Sequence, residues 1–229
     1  LFLKDFWQTL LEILYPRRCV FCKALLNENR ANRFCEQCLE LVPDIRFVSP
    51  AILRPGYLDG LIFCTRYKRV KRVLQQAKFA GQRNQALILG ELLALAWQNT
   101  QSEFFARLYA NELKQFSAVS VPTDYKRMLA RGYEIPKLLF AQWLKANNIN
   151  YENVLRRGKN TAPQYQLSRK QRQENVFGSI KQIRSLSNNK ILLLDDIFTT
   201  GASLNESARI LKLHGAQAVI GITFASDNN

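Results

Sequence analysis

The sequence predicts a mixed α/β protein in which a mostly parallel β-sheet follows a small cysteine-rich module. From Gly60 onward, strand patterns alternate with helix patterns, an order typical of parallel sheets with helical crossovers. Four of the five cysteines precede Pro43, in a stretch without that alternation. Three prolines in residues 43–55 are typical of a linker. We therefore predict an N-terminal helix with a cysteine module at 1–48 and an α/β domain at 49–229.

The chain begins with an amphipathic pattern, FLKDFWQTLLEILYP, whose apolar residues recur at the spacing of one helix face. Pro16 ends the pattern, because proline cannot continue a helix. This face either packs on the protein itself or contacts a membrane surface or a partner protein. The small number of cations beside it favours packing over strong attraction to lipid.

Two cysteine pairs with identical spacing follow the helix. Cys19-x2-Cys22 and Cys35-x2-Cys38 are separated by twelve residues, which is the arrangement of a four-cysteine zinc site. Four thiolates complete a tetrahedral coordination sphere, so we expect the Zn²⁺ to be structural rather than catalytic. The alternative is a pair of disulfides in a secreted domain. The fifth cysteine, Cys64, lies in a strand pattern and is expected to pack in the core.

The second domain is predicted from apolar runs of strand length and from helical periodicity. Its strands are expected at Gly60–Tyr67, Phe116–Val121, Lys190–Asp195 and Ala218–Phe224. Its helices are expected at Val70–Phe79, Asn84–Trp97, Glu103–Gln115, Pro136–Ala146 and Ala202–His214. A polar, loop-like stretch is expected from Arg157 to Gln182.

The segment Ile191–Ser203, ILLLDDIFTTGAS, combines an apolar strand, two carboxylates at its end and the start of a helix. Backbone N–H groups of such a turn, with threonine and serine hydroxyls, form a cradle for a phosphate. The expected cradle residues are Phe198, Thr199, Thr200, Gly201, Ala202 and Ser203. Asp195 and Asp196 would repel a phosphate, so we expect them to bind ribose hydroxyls, with Mg²⁺ offsetting the repulsion. The alternative is an ordinary strand–helix unit whose hydroxyls only cap the helix.

The chain is strongly basic, with 33 Lys and Arg against 18 Asp and Glu and a net charge of +15. Its 47% hydrophobic residues exclude a disordered protein, and its charge favours a polyanionic partner such as nucleic acid. The stretches Arg66–Arg83 and Arg156–Arg184 interleave cations with aromatics, which suits single-stranded nucleic acid. The residues expected to contact it are Arg66, Lys68, Arg69, Arg72, Lys78, Arg156, Arg157, Arg169 and Arg172. The alternative is that these cations form solvated helix faces or serve the sugar-phosphate ligand.

The sequence also bears on location. No apolar run reaches the ~20 residues that cross a bilayer, and Leu1–Tyr15 lacks the basic leader and cleavage site of a signal peptide. We therefore expect a cytoplasmic protein, with any contact at the inner face of the membrane made through the N-terminal helix. The only methionine is Met128, so we expect residues to precede Leu1.

The segment from Ile191 to Ser203 resembles the signature of phosphoribosyltransferases, in which two acidic residues bind the ribose hydroxyls and the turn binds the 5-phosphate. Further segments narrow the resemblance to the ComF family: CVFC and CEQC, YKRVKRVLQQAKFAGQ, VPTDYKRMLARGY, and LRRGKNTAPQYQLSRKQRQENVFGSI. The resemblance covers most of the chain from Cys19 onward. It implies a type I phosphoribosyltransferase-like domain, a zinc-ribbon-like N-terminal domain, and phosphoribosyl pyrophosphate with Mg²⁺ as the ligand.

By the same resemblance, VPTDYKRMLARGY corresponds to the loop on the pyrophosphate side, so Lys126, Arg127 and Arg131 are expected to bind the diphosphate. The residues implied in catalysis are Asp195, Asp196, Arg127 and Arg131. The segment Arg156–Phe177 corresponds to a flexible loop that closes over the ligand, and the alternative is a plain surface loop. One departure is that Glu134 and Ile135 stand where the family has Asn-Gln. The extra carboxylate is expected to weaken anion binding there, and with it any transferase turnover.

The family resemblance implies a competence factor that handles incoming single-stranded DNA in the cytoplasm. Two alternatives stay open. One is an active phosphoribosyltransferase that acts on an unknown base or amine, with catalysis by positioning and charge stabilisation. The other is a zinc-dependent adaptor for a DNA-translocating ATPase. Because no segment specifies an acceptor, enzymatic activity is left undecided by the sequence.

Overall fold

The computed structural model describes residues 7, 10–11, 14–26, 33–49, 53, 56–79, 81–98, 113–158 and 176–227. The chain divides into two compact units, Leu1–Val42 and Pro43–Asn229. From the sequence, residues 43–48 are predicted to belong to the cysteine module. In the structure they belong to the second unit, because they contain a short strand that pairs with its sheet.

The first unit contains a hairpin and a short helix. The hairpin is closed by an antiparallel bridge between Arg18 and Leu25, and the Cys19 N–H donates to the carbonyl oxygen of Ala24 over 2.8 Å. Helix α1 spans Glu36–Leu41. These two elements carry one cysteine pair each, so local turns position all four thiols.

The predicted N-terminal helix lies mostly outside the described residues. Its four described positions, residues 7, 10, 11 and 14, are helical. Trp7, Leu11 and Leu14 recur at the spacing of one helix face, and each is more than half exposed. An apolar stripe is therefore exposed on this segment.

The described residues of the second unit form eight strands and five helices. Its strands are β1 Arg46–Val48, β2 Gly60–Arg66, β3 Ser117–Ser120, β4 Asn150–Glu152, β5 Leu155–Arg157, β6 Ile180–Gln182, β7 Lys190–Phe198 and β8 Ala218–Ser226. Its helices are α2 Tyr67–Gln76, α3 Arg83–Gln98, α4 Tyr125–Arg131, α5 Ile135–Ala146 and α6 Ala202–Leu213. A 3₁₀ turn spans Leu113–Gln115.

Six strands form one sheet in the order β1-β2-β8-β7-β3-β4, and β5 pairs with β6 in a separate antiparallel ribbon. Only the β1–β2 pairing of the six-stranded sheet is antiparallel. Strand β7 lies inside the sheet, and the four residues 191–194 are fully buried. Such a continuous apolar run is expected for a parallel strand that is covered on both faces.

Helices cover the two faces of the sheet. On one face, α6 packs in a core cluster that includes Leu193 of β7 and Leu204 of α6. Helix α5 contacts β3 and β7 from the other face and also packs on α3. A Cβ at Gly90 of α3 would lie 2.8 Å from the carbonyl oxygen of Leu139, so glycine permits this close helix contact. The predicted mixed α/β architecture with a mostly parallel sheet is confirmed.

Several short elements were not predicted from the sequence: β1, β4, the β5–β6 ribbon and α4. Strands of three residues are too short to show a period of two, and α4 has no buried residue, so it has no apolar face to detect. Strand β7 extends three residues beyond the predicted end at Asp195, through Phe198. Most of the helix predicted at Glu103–Gln115 lies outside the described residues.

Candidate functional site

The first candidate site is the cysteine cluster of the N-terminal unit. Cys19 and Cys22 lie in the hairpin, Cys35 precedes α1 at its N-cap position, and Cys38 lies in the first turn of α1. The four Sγ atoms all lie within 4.8 Å of one another. The Sγ atoms of Cys22 and Cys35 are 3.6 Å apart. Cys19 and Cys35, like Cys22 and Cys38, are sixteen positions apart, yet all four sulfur atoms lie around one point.

The cluster fits a tetrahedral metal ion. Zinc–sulfur bonds of about 2.3 Å place tetrahedral thiolates about 3.8 Å apart, which matches the Cys22–Cys35 separation. A disulfide would need a separation of about 2.05 Å, and all four cysteines are free thiols. Burial alone would raise the pKa of Cys19, but backbone N–H groups of Cys35, Cys22 and Phe21 lower it to about 6. The cluster can therefore hold a metal such as Zn²⁺ through thiolates.

The second candidate site lies at the carboxyl edge of the parallel sheet. The connection after β3 leads to β4 on one side, whereas the connection after β7 leads through α6 to β8 on the other side. The order of the strands therefore reverses between β3 and β7. Ligands of open α/β sheets bind in the crevice outside the strand ends at such a point. The two segments that meet there are Val121–Asp124 and Phe198–Ser203.

Asp195 and Asp196 lie near the end of β7, where successive side chains point to opposite faces. Asp196 Oδ2 lies 2.8 Å from the Nζ of Lys78, which follows α2. The Asp196 backbone N–H donates to Asp195 Oδ1 over 2.9 Å. Burial and the neighbouring Asp196 charge raise the pKa of Asp195 to about 8. At neutral pH the pair therefore carries less than two negative charges.

The turn after β7, residues 198–203, is the predicted anion cradle. Residues 198–203 are all half-buried. Gly201 has a φ of 72°, and a Cβ there would lie 2.6 Å from the Phe198 ring, so the turn requires glycine. Gly201 stands at the N-cap of α6 and offers no capping side chain, and the first turn of α6 contains no acidic residue. The Ala202 N–H donates to Thr200 Oγ1 over 3.4 Å, so a backbone N–H and a hydroxyl lie side by side at the N-terminus of α6, where an anion is favoured.

The residues predicted for the diphosphate all lie on α4. Asp124 caps α4 by accepting the Arg127 backbone N–H over 3.2 Å. The side chains of Lys126 and Arg127 are exposed. Arg131 is half-buried, and its Nε donates to the carbonyl oxygen of Lys78 over 2.9 Å. Arg131 thus fixes the end of α4 near the Lys78–Asp196 ion pair.

The structure gives Glu134 neighbours on α5 and β4. Burial raises the pKa of its carboxyl, with Lys137 acting in the opposite direction. Its charge also acts on Tyr151, whose hydroxyl is hydrogen-bonded to the hydroxyl of Ser120. The expectation that Glu134 weakens binding of a diphosphate stays a prediction.

The predicted nucleic-acid residues fall into three groups. Lys68, Arg69 and Arg72 are exposed on α2, whose buried side is apolar and which contains no acidic residue. Asp44 accepts from Arg66 Nε over 3.0 Å and lies 3.7 Å from Arg69 Nη1. We call the exposed face of α2 that carries Lys68, Arg69 and Arg72 the basic face.

The second group is Lys78, Arg156 and Arg157, of which Lys78 and Arg157 lie beside the carboxylates of the sheet edge. Lys78 pairs with Asp196, and Arg157 is half-buried with Asp195 as a charged neighbour. Arg156 is exposed on the same strand. The third group, Arg169 and Arg172, lies outside the described residues, as does most of the segment predicted to close over the ligand. The sequence predicts Lys78 and Arg157 as DNA contacts, with the sugar-phosphate ligand as the alternative, and the structure brings both beside the carboxylates of the sheet edge.

Among the described residues, no helix combines the length and the apolar character needed to span a bilayer. No protein-family model matches the sequence. The chain is 30% identical to competence protein F of Haemophilus influenzae over 223 aligned residues, which cover 88% of this chain and 93% of the relative. The similarity thus includes nearly the whole of both chains. On this evidence the chain belongs to the ComF family.

Proposed function

We propose that this protein binds phosphoribosyl pyrophosphate at the sheet-edge site and handles single-stranded DNA in the cytoplasm during natural transformation. The observation that carries the ligand assignment is the glycine-requiring turn after β7, next to two carboxylates, at the point where the strand order reverses. The relative's name, competence protein F, supports the role in transformation. The resemblance of the turn to phosphoribosyltransferases supports the identity of the ligand.

Each part of the ligand has chemically suitable partners. The 5-phosphate fits the N–H groups and hydroxyls of residues 198–203. Asp195 and Asp196 accept hydrogen bonds from ribose hydroxyls. Lys126 and Arg127 offer exposed cations to the diphosphate. When bound, Mg²⁺ neutralises part of the diphosphate charge beside the carboxylates.

The ligand proposal is tested by thermal unfolding with phosphoribosyl pyrophosphate and MgCl₂. A ligand that binds the native state stabilises it by about 2.7 kcal/mol at a 100-fold excess over Kd. We expect this stabilisation in the wild type and its loss in the variant that combines Asp195→Asn with Asp196→Asn. Asp59→Asn is the matched control, because Asp59 lies before β2 at the opposite edge of the sheet. A wild type that shows no ligand-dependent shift contradicts the proposal.

The DNA proposal rests on the basic face of α2. This helix carries four exposed cations, including Lys68, Arg69 and Arg72, with no acid between them, which suits the phosphates of a single strand. We expect the triple variant Lys68→Gln, Arg69→Gln, Arg72→Gln to bind a single-stranded oligonucleotide more weakly. The slope of log affinity against log salt is expected to fall by about 2, because each lost phosphate contact removes about 0.7.

The matched control for the basic face replaces three exposed lysines elsewhere, Lys114, Lys145 and Lys181, by glutamine. Both triple variants lose three positive charges. A difference between their DNA affinities therefore shows that the position of the cations matters, and not only the net charge. Fluorescence anisotropy at several salt concentrations measures the affinities. Equal affinities for the two triple variants would remove α2 as the DNA surface.

A transferase is the second candidate, and the pKa of Asp195 favours it. A carboxyl group with a pKa of about 8 titrates near physiological pH, as a general base or acid requires. Asp196, Arg127 and Arg131 would then orient the ligand and stabilise charge. Pyrophosphate release from phosphoribosyl pyrophosphate, screened with bases and amines, tests this candidate. If phosphoribosyl pyrophosphate binds but no acceptor causes release of pyrophosphate, the protein binds this ligand without being a transferase.

A further inference from the structure

Three arginine side chains meet at Asp44, near one side edge of the six-stranded sheet. Arg46 lies on β1, the outermost strand, Arg66 ends β2, and Arg69 lies on the basic face of α2. Arg46 donates to Asp44 from Nε over 2.8 Å and from Nη2 over 3.2 Å. Arg66 Nε donates to Asp44 over 3.0 Å, and Arg69 Nη1 lies 3.7 Å from the same carboxylate. We call these three arginines the arginine cluster.

The arginine cluster carries more positive charge than Asp44 neutralises. Burial would raise the pKa of Asp44, but hydrogen bonds and charges from the cluster hold it below its ordinary value. Asp44 is therefore ionised at neutral pH. Three guanidinium groups against one carboxylate leave two positive charges in excess. By contrast, Lys78 and Arg209 each pair with a carboxylate of their own.

The donors of the arginine cluster are open to solution. Three guanidinium groups carry about fifteen N–H donors, and hydrogen bonds to Asp44 occupy three of them. The side chains of Arg46, Arg66 and Arg69 are 48%, 39% and 37% exposed, whereas that of Asp44 is 18% exposed. The cluster therefore presents mainly guanidinium groups to solvent. The two-pronged contact with Asp44 fixes the plane of the Arg46 guanidinium.

The excess charge suits one kind of phosphate group. A phosphate monoester carries a charge of about −1.5 to −2 at pH 7 and three strong acceptor oxygens, whereas an internal phosphate of a strand carries one negative charge. Guanidinium groups bind phosphate oxygens with paired hydrogen bonds. Arg69 belongs both to the cluster and to the basic face, so a strand that lies along α2 can end at the cluster.

We propose that the arginine cluster binds the terminal phosphate of a single strand whose internal phosphates lie on the basic face of α2. This inference rests on the proposed DNA function, and it adds Arg46 and the recognition of a strand end to that function. A single strand has two chemically different ends. The cluster therefore gives the bound strand one direction along α2.

The test compares oligonucleotides that differ only at an end, by fluorescence anisotropy with the dye on an internal base. One strand has a 5′-phosphate, one has a 3′-phosphate, and one has hydroxyl groups at both ends. A hydroxyl-ended strand that is about two nucleotides longer matches the charge of a terminal phosphate. The full-length variants are Arg46→Met and Asp44→Asn. Arg184→Met is the matched control, because Arg184 is an exposed arginine that follows β6.

We expect the wild type to bind the strand phosphorylated at one end about 10-fold more tightly than either hydroxyl-ended strand. Arg46→Met should reduce this preference to about threefold or less, and should affect hydroxyl-ended strands no more than Arg184→Met does. Asp44→Asn makes the cluster more positive but removes the carboxylate that orients it, so the end preference should also fall. Arg46→Met should unfold near the wild-type temperature, because Arg46 is exposed.

Several results overturn the inference. If the wild type binds the phosphorylated and the charge-matched strands equally, the cluster does not recognise an end, and the DNA function survives. An end preference that is equal in Arg46→Met and Arg184→Met excludes Arg46.

A preference that persists in Asp44→Asn assigns the effect to net charge and not to an oriented cluster. Thermal unfolding with phenyl phosphate separates the remaining case. If no strand binds, but phenyl phosphate stabilises the wild type and not Arg46→Met, the DNA function is wrong and the cluster binds small phosphate monoesters instead.

Discussion

The two units of this protein have different sources of stability. Among the described residues of the first unit, the buried apolar side chains are those of Cys19, Phe34 and Val42. The second unit has a core that runs through a six-stranded sheet, with four consecutive buried residues in β7. A unit of 42 residues buries too little surface to fold on its core alone, whereas a unit of 187 residues does not have this limit.

The contrast indicates what each unit needs. Metal binding supplies folding free energy to small domains, about 10–16 kcal/mol for structural zinc. The four sulfur atoms of the first unit are arranged for such an ion. The second unit obtains its stability from buried apolar area and from parallel strand pairing. We therefore expect the two units to respond to different perturbations.

The largest effect should come from removing one thiol of the metal site. We expect Cys35→Ser to abolish the binding of about one Zn²⁺ per chain and to unfold the first unit, because three thiolates hold the metal far less well. Metal analysis and NMR of the first unit measure the two effects. Cys64→Ala is the control, because Cys64 is buried in β2 of the second unit. If Cys35→Ser also abolished the thermal transition of the second unit, the expectation that the two units are stabilised separately would be wrong.

A smaller effect is expected from a cavity in the second unit. Leu193 is fully buried in β7, so Leu193→Ala should cost about 2–5 kcal/mol of unfolding free energy. Urea unfolding followed by circular dichroism measures this cost, and zinc content should not change. Leu213→Ala is the control, because Leu213 is 67% exposed and its replacement should cost about 0.5 kcal/mol or less. Similar costs for both variants would contradict the assignment of the core.

The smallest effect is a gradual dependence on pH that differs between the units. The folded chain has an Asp195 pKa of about 8, whereas the ordinary value is 3.8. At pH values between these two, Asp195 holds a proton in the folded chain and has released it in the unfolded chain. The second unit should therefore lose stability as pH rises from about 4 to about 8. Asp195→Asn should flatten this slope in urea unfolding across that range.

The first unit should respond in the opposite direction. Thiolates must be deprotonated to bind zinc, so acid releases the metal. Zinc release on acidification, measured with a colorimetric chelator, should leave the slope of the second unit unchanged. A second unit whose stability rises with pH in both wild type and Asp195→Asn would contradict the assignment of Asp195.

Much of the candidate site could be predicted from local sequence. The two cysteine pairs have short spacings, so hairpin and helix turns bring each pair to one metal whatever the rest of the chain does. The turn after β7 requires a glycine with positive φ, and Gly201 has one. Strand β7 was recognisable because a strand buried on both faces is continuously apolar.

Other features could not be predicted because they depend on distant segments. Lys78 was assigned to the DNA surface, yet its amino group pairs with Asp196, which is far along the chain. Arg66 and Arg69 share Asp44, a residue from the segment that looked like a linker. Helix α4 has no buried residue and is capped by Asp124, so no apolar periodicity indicates it.

The sequence by itself determined the chemistry available to this protein: four thiols in two hooks, a carboxylate pair, a phosphate-type turn and an excess of cations. The tertiary structure decided which cation lies beside which carboxylate. Arg156 and Arg157 are adjacent and identical in type, yet one faces solvent and the other faces Asp195. The reason is physical, since alternation along a strand sets the side, whereas strand order and register decide what that side meets.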